Sequence, residues 1–85
     1  LKGPGAAAND RANPDWIAAV RYSPDGSKIV TVGYGGWLCL WQASDGALLH
    51  SQKLDTGLYN AAFLPDGKRL VTGNYNGTVY VLALP

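Results

Sequence analysis

Ser23-Pro24-Asp25-Gly26 and Leu64-Pro65-Asp66-Gly67 are the two stretches on which the reading of this 85-residue chain turns. Laid residue 23 on residue 64, they define an offset of 41 that keeps the flanking sequence in register. Val30-Thr31 falls on Val71-Thr72, Tyr34 on Tyr75, Gly36 on Gly77, and Leu38 and Leu40 on Val79 and Val81. In each copy Pro presets φ and Gly tolerates a backbone conformation that other residues resist, so the chain reverses there.

Working outward from the first turn, residues 16–22 read as a strand and residues 28–32 as a second one, rich in β-branched side chains. Gly33-Tyr34-Gly35-Gly36 makes the next reversal, residues 37–41 a third strand, and residues 47–53 a fourth after Ser44-Asp45-Gly46. In the second copy Asn76-Gly77 is the dipeptide favoured in two-residue type I′ hairpins, and residues 79–82 form the third strand. The fold class is therefore all-β, and a period near 40 with such turns is the length of an antiparallel four-stranded blade of a β-propeller. We expect two consecutive blades, over residues 15–55 and 56–85, the second carrying its first three strands and lacking the outer one. Residues 1–14, dense in Gly, Pro, Asn and Ala without apolar alternation, read as linker or loop.

Composition narrows the function classes. The apolar fraction is 47% and the aromatic fraction 11%, enough for a packed core. Seven Lys and Arg against six acidic residues give a net charge of +1, and the basic residues are spread from Lys2 to Arg69. A nucleic-acid footprint needs a clustered basic face and a membrane patch needs a basic run, so neither partner is expected. Cys39 is the single cysteine, which rules out an internal disulfide framework and any Cys/His metal cluster. With no apolar stretch of about 18 residues and no signal pattern, the chain reads as soluble, the cytoplasm being favoured. A start at Leu1 leads us to expect a longer parent protein.

Asp15-Trp16-Ile17 through Val20-Arg21-Tyr22-Ser23-Pro24-Asp25-Gly26, and Leu38-Cys39-Leu40-Trp41, resemble the strand, turn and Trp-Asp approach of the WD40 family, over about residues 15–85. The repeats are degenerate. Gln42 stands where the family's Asp is usual, Leu82-Ala83 replaces both residues of the dipeptide in the second copy, and Gly35 and Asn76 occupy the turn position that commonly holds a structural Asp. Ala12-Asn13 and Lys53-Leu54 stand where many repeats carry Gly-His. The family's Asp-His-Ser/Thr-Trp network is thus incomplete in both copies, although Thr31, Thr72 and Trp41 occupy fitting places. Because the second copy stops after a third strand, the resemblance implies the C-terminal end of a larger propeller, with Pro85 as its native terminus.

Catalytic chemistry finds little to work with. His50 is the one histidine, on an expected outer strand, with Ser44, Ser51 and Cys39 close in sequence but no orienting partner in view. Asp25, Asp45 and Asp66 each precede Gly in a turn, where a short carboxylate bonds local backbone, and no Asp-x-Asp-x-Asp calcium loop occurs. Gly33–Gly36 lacks the Lys-Ser/Thr and the helix of a phosphate loop. We expect no catalytic, cofactor or metal residue. Trp16, Tyr34, Trp37, Tyr59 and Tyr75 are the aromatics suited to recognition; Trp37 and Trp41 read as core, while Trp16, Tyr34 and Tyr75, at strand ends and turns, are the candidate interaction residues.

The resemblance implies a non-catalytic scaffold that binds a protein partner. Two other readings stand beside it: a regulatory or sensing propeller tail of a larger enzyme such as a bacterial kinase or protease, and a self-assembling unit in which further copies, or the remaining blades of a parent, cover the open blade faces. A propeller enzyme with a site in its central channel would need an acid, base or metal cluster that is missing from the sequence.

Overall fold

The computed structural model describes residues 16–85; the expected linker over residues 1–14, and residue 15, lie outside the described residues. The described residues form two antiparallel sheets. The first contains β1 (Ile17–Tyr22), β2 (Lys28–Gly33), β3 (Trp37–Gln42) and β4 (Leu48–Lys53), hydrogen-bonded in that order. The second contains β5 (Leu58–Phe63), β6 (Arg69–Asn74) and β7 (Val79–Ala83), again in sequence order. The expected all-β architecture and strand succession are both present.

The repeat extends to the backbone details. The Ser23 carbonyl accepts from Gly26 N at 2.9 Å and Ser23 N reaches Lys28 O at 2.8 Å; Leu64 repeats both bonds with Gly67 and Arg69 at 2.9 Å. Gly26 and Gly67 have φ of 77° and 69°, a region that side chains resist. Asp25 Oδ1 accepts from Ser27 N at 2.9 Å and from the hydroxyls of Ser23 and Ser27, and Asp66 Oδ1 accepts from Lys68 N at 2.9 Å. Both acidic side chains hold their turns, as expected of them. A bulge interrupts β1 between Ile17 and Ala19 and recurs 41 residues later, between Leu58 and Asn60 of β5.

One turn differs from its sequence-based expectation. The β6–β7 hairpin is not a two-residue type I′ loop centred on Asn76-Gly77. Asn74 N donates to Thr78 O and Gly77 N to Asn74 O, both at 3.1 Å, so Tyr75, Asn76 and Gly77 make a three-residue loop with Gly77 at φ 86°. A three-residue loop with glycine in the left-handed position is the next favoured hairpin geometry, and strand pairing that closes on Asn74 and Thr78 selects it.

The sheets meet face to face. Ala19, Val30, Val32 and Leu38 of the first sheet and Leu58, Ala61 and Leu70 of the second form one buried cluster, with Leu54, Phe63, Leu82 and Leu84 packed against it. β5 lies against β1 and β2. Alternation along β2 and β3 turns Ile29, Thr31, Cys39 and Trp41 to the other face, where Trp41 Nε1 donates to Thr31 Oγ1 at 2.9 Å among buried neighbours. The second sheet has Leu82 in place of Trp41, and its Thr72 hydroxyl donates instead to Asn74 Oδ1 at 2.8 Å. Asn74 Nδ2 in turn donates to Thr78 Oγ1 at 2.9 Å, and Asn76 Oδ1 accepts from Thr78 N at 3.1 Å. Asn76 thereby does the turn-holding work of the aspartate that family resemblance leads one to look for.

Two measurements check this account. Trp41→Ala removes a buried ring and strands the Thr31 hydroxyl, so urea denaturation should show a loss of about 3–5 kcal/mol, with Trp41→Phe losing less. Local hydrogen bonds, chiefly the Ser27 backbone N–H and the two serine hydroxyls, hold the Asp25 carboxyl at about 2, below its ordinary 3.8. A lowered folded-state pKa contributes stability above the unfolded value that disappears as pH falls through the folded one. The urea midpoint should therefore drop between about pH 4 and pH 2, and Asp25→Asn should flatten that part of the profile.

Candidate functional site

Tyr34 and Tyr75 occupy equivalent places in the β2–β3 and β6–β7 turns. Tyr34 N donates to Trp16 O at 3.0 Å, and Tyr75 N donates to Gly57 O at 2.9 Å. The segment linking β4 to β5 is pinned between the two turns: Leu54 N donates to Gly36 O at 2.8 Å, and Thr56 Oγ1 accepts from Asn76 N at 3.3 Å. Gly57 is where this arrangement leaves no room for a side chain. A Cβ there would sit 2.5 Å from the Tyr34 carbonyl oxygen and 3.0 Å from Tyr75 Cδ2. Its absence lets one turn press against the next and brings the Tyr34 and Tyr75 rings to 5.3 Å between centroids, tilted by 39°.

Tyr59 completes the group. It is the residue extruded by the β5 bulge, and a bulge re-aims the side chain it carries. Its ring lies over Gly73 and meets Tyr75 edge-on at 5.2 Å and 61°. All three rings are exposed over about half their surface. Hydrogen bonding with the Tyr34 side chain first, then desolvation, and then repulsion from Tyr34 and Tyr59, raise the Tyr75 phenol above its usual 10.0. Trp16 is also exposed and is tied to Tyr34 through its backbone carbonyl; among the described residues no ring pairing joins it to the trio. The structure thus unites Tyr34 and Tyr75, adds Tyr59, and leaves Trp16 on the flank. Trp37 is half-buried and packs beside Trp41.

The polar residues weighed for catalysis are held apart. His50 pairs with Leu40 across the β3–β4 ladder while Cys39 pairs with Ser51, so alternation sends the His50 side chain to the face opposite both sulfur and hydroxyl. His50 Nε2 lies 3.1 Å from Gln52 Oε1. Asp45 Oδ1 accepts from Ala47 N at 2.9 Å, a turn bond like those of Asp25 and Asp66. Among the described residues no three His, Cys, Asp or Glu side chains converge. At the opposite end from the tyrosines a recess of about 500 Å³ opens between Tyr22, Ser27, Lys28, Gln42 and Ser44. Asn74 is the functional-looking residue that reading the sequence overlooks: it is a fully buried polar group, and only its substitution for Gly33 in the repeat marks it.

Comparison with known proteins bears on the family and the fold. The family model for the WD domain, G-beta repeat, matches residues 9–42 and 46–81. WD repeat and SOCS box-containing protein 1 of Mus musculus is 31% identical over 74 residues, covering 87% of this chain and 17% of the relative. Eukaryotic translation initiation factor 3 subunit I of Phaeosphaeria nodorum is 35% identical over 52 residues, 61% of this chain and 16% of the relative. The chain therefore spans less than a fifth of these relatives. Among solved structures, Kluyveromyces lactis Hsv2 superposes with a TM-score of 0.72 at 24% identity, over 87% of this chain and 24% of its own, a likeness of fold. No helix among the described residues is long and apolar enough to cross a membrane. With the family model matched twice along the chain, and strands, turns and bulges that recur at the offset of 41, the chain belongs to the WD40 repeat family.

Proposed function

We propose that the chain is a non-catalytic protein-interaction scaffold that holds its partner through Tyr34, Tyr75 and Tyr59, with Trp16 at the margin. The observation that carries this reading is the exposed tyrosine trio, three large rings fixed by backbone bonds and by close approach at Gly57. Tyrosine offers broad contact area and a hydroxyl at small entropic cost, and immobilising the rings before the partner arrives lowers that cost further. Adjacent phenols suit a polar, partly apolar protein surface better than a phosphate backbone, and the net charge of +1 fits that preference. The names of the relatives point the same way: one joins WD repeats to a SOCS box, the other is a subunit of a larger factor.

The test starts from proteins that co-purify with the tagged full chain and ends on an affinity for the purified partner. Tyr75→Ala, or Tyr34→Ala with Tyr59→Ala, should weaken binding by about 30-fold or more, the size of a hot-spot loss. His50→Ala should change it by less than about 2-fold. Equal losses in both variants would remove the tyrosines from the interface, and a hydrolytic or transfer activity abolished by His50→Ala would overturn the non-catalytic reading.

A further inference from the structure

Of the five asparagines in the chain, only Asn76 precedes a glycine. Asn76 and Gly77 are both exposed at the tip of the β6–β7 loop, and a Cβ built on Gly77 would meet no atom within 4 Å, so nothing crowds the backbone beside the Gly77 nitrogen. In Asn60-Ala61 and Asn74-Tyr75 the nitrogen after the amide belongs to a residue with a side chain, and Asn74 is fully buried. The turn also sets the Asn76 amide in place. Its Oδ1 accepts from Thr78 N at 3.1 Å and from the Thr78 hydroxyl at 2.5 Å. The first bond closes a ring of atoms that includes both Asn76 Cγ and the Gly77 nitrogen, so the amide folds back over the peptide bond that follows it. Two donors on one carbonyl oxygen draw electrons from Cγ, and they stand where negative charge develops when that carbon is attacked.

We infer that Asn76 is a site of self-modification, at which the folded chain converts its own amide to an acid. Hydroxide takes the proton from Gly77 N, and the nitrogen attacks Asn76 Cγ. The side-chain nitrogen takes a proton from water and leaves as ammonia, closing a five-membered imide across residues 76 and 77. A second water opens the imide. Attack at Cγ gives aspartate; attack at the main-chain carbonyl gives isoaspartate, with the β-carbon inserted into the backbone. Water is the one co-reactant consumed. The Gly77 N–H is held by the Asn74 carbonyl at 3.1 Å, so this bond opens first; the matching bonds at Gly26 and Gly67 are shorter, at 2.9 Å.

The aspartate has a place ready. Asp25, Asp45 and Asp66 each accept, through Oδ1, the backbone N–H two residues on at 2.9 Å, and Asn76 makes the same bond with an amide where those turns use a carboxylate. Both bonds of Asn76 run to Oδ1, the oxygen that survives the reaction, so the acid keeps them with the added strength of charge. Conversion takes the net charge from +1 to zero and puts the new charge one residue from Tyr75. The reaction stands whatever partner the tyrosines hold.

Incubation of the full chain at mildly alkaline pH, followed by intact mass and peptide mapping, tests the site, with the urea-unfolded chain as the reference clock. In the folded chain residue 76 should convert first, ahead of Asn60 and Asn74 by about tenfold or more, at a rate that climbs with hydroxide concentration. Asn76→Gln, whose amide would have to close a larger ring, should keep its mass over the same period. Asn76→Asp, the acid product made directly, should fold with a urea midpoint at or above that of the parent at neutral pH, an advantage lost as pH falls through the carboxylate range. A folded chain whose residue 76 stays an amide while the unfolded chain converts overturns the inference. So does conversion spread evenly over Asn60, Asn74 and Asn76, or an Asn76→Asp chain that loses the fold.

Discussion

Contact between the two sheets is the condition on which the rest of the molecule depends. A lone sheet has two faces and no interior; Val30, Val32 and Leu38 are buried because Leu58, Ala61 and Leu70 cover them. Burying a side chain of this kind stabilises by about 1.5–3 kcal/mol, while fixing each backbone residue costs about 1–2 kcal/mol, so an uncovered blade has little with which to offset its own ordering. The short link from Leu54 to Gly57 follows from that requirement. It sets β5 against β1 and β2 and leaves the turns of the two blades side by side.

The tyrosine surface is a by-product of the same closeness. Tyr34 and Tyr75 sit in equivalent turns of successive blades, and equivalent turns are neighbours wherever blades stack. Gly57 leaves the space between them free of a side chain, and the bulge at Tyr59 adds a third ring from β5. The tyrosine cluster therefore rests on a backbone arrangement that a single Cβ would disturb.

Much of the fold was legible because its punctuation is chemical. Pro-Asp-Gly twice at one offset fixed the period, and β-branched runs between turns placed the strands to within about a residue of their observed limits. What escaped reading depends on pairing. The bulges at Ile17–Ala19 and Leu58–Asn60 are facts of register, visible only when two strands are laid together. Asn76-Gly77 is compatible with two loop lengths, and the ladder closing on Asn74 and Thr78 decides between them. Of the candidate site, Tyr34 and Tyr75 could be singled out from their turns, whereas the part played by Tyr59 required knowing which residue the bulge extrudes. Asn74 was hidden for a different reason. Its meaning lies in three departures taken together, Gly33 to Asn74, Trp37 to Thr78 and Trp41 to Leu82, which replace an indole bond by an amide one.

That replacement ties the interior to the surface. From the Thr72 hydroxyl through the Asn74 amide to Thr78 and Asn76, the side-chain bonds run from a fully buried position to the residue next to Tyr75. In the first blade the corresponding bond, Trp41 to Thr31, begins and ends inside. The turn that carries Tyr75 is thus moored to the core by a polar chain as well as by its backbone. A change made at the buried Thr72 hydroxyl is thereby felt, bond by bond, at the rim of the molecule where the tyrosine rings stand.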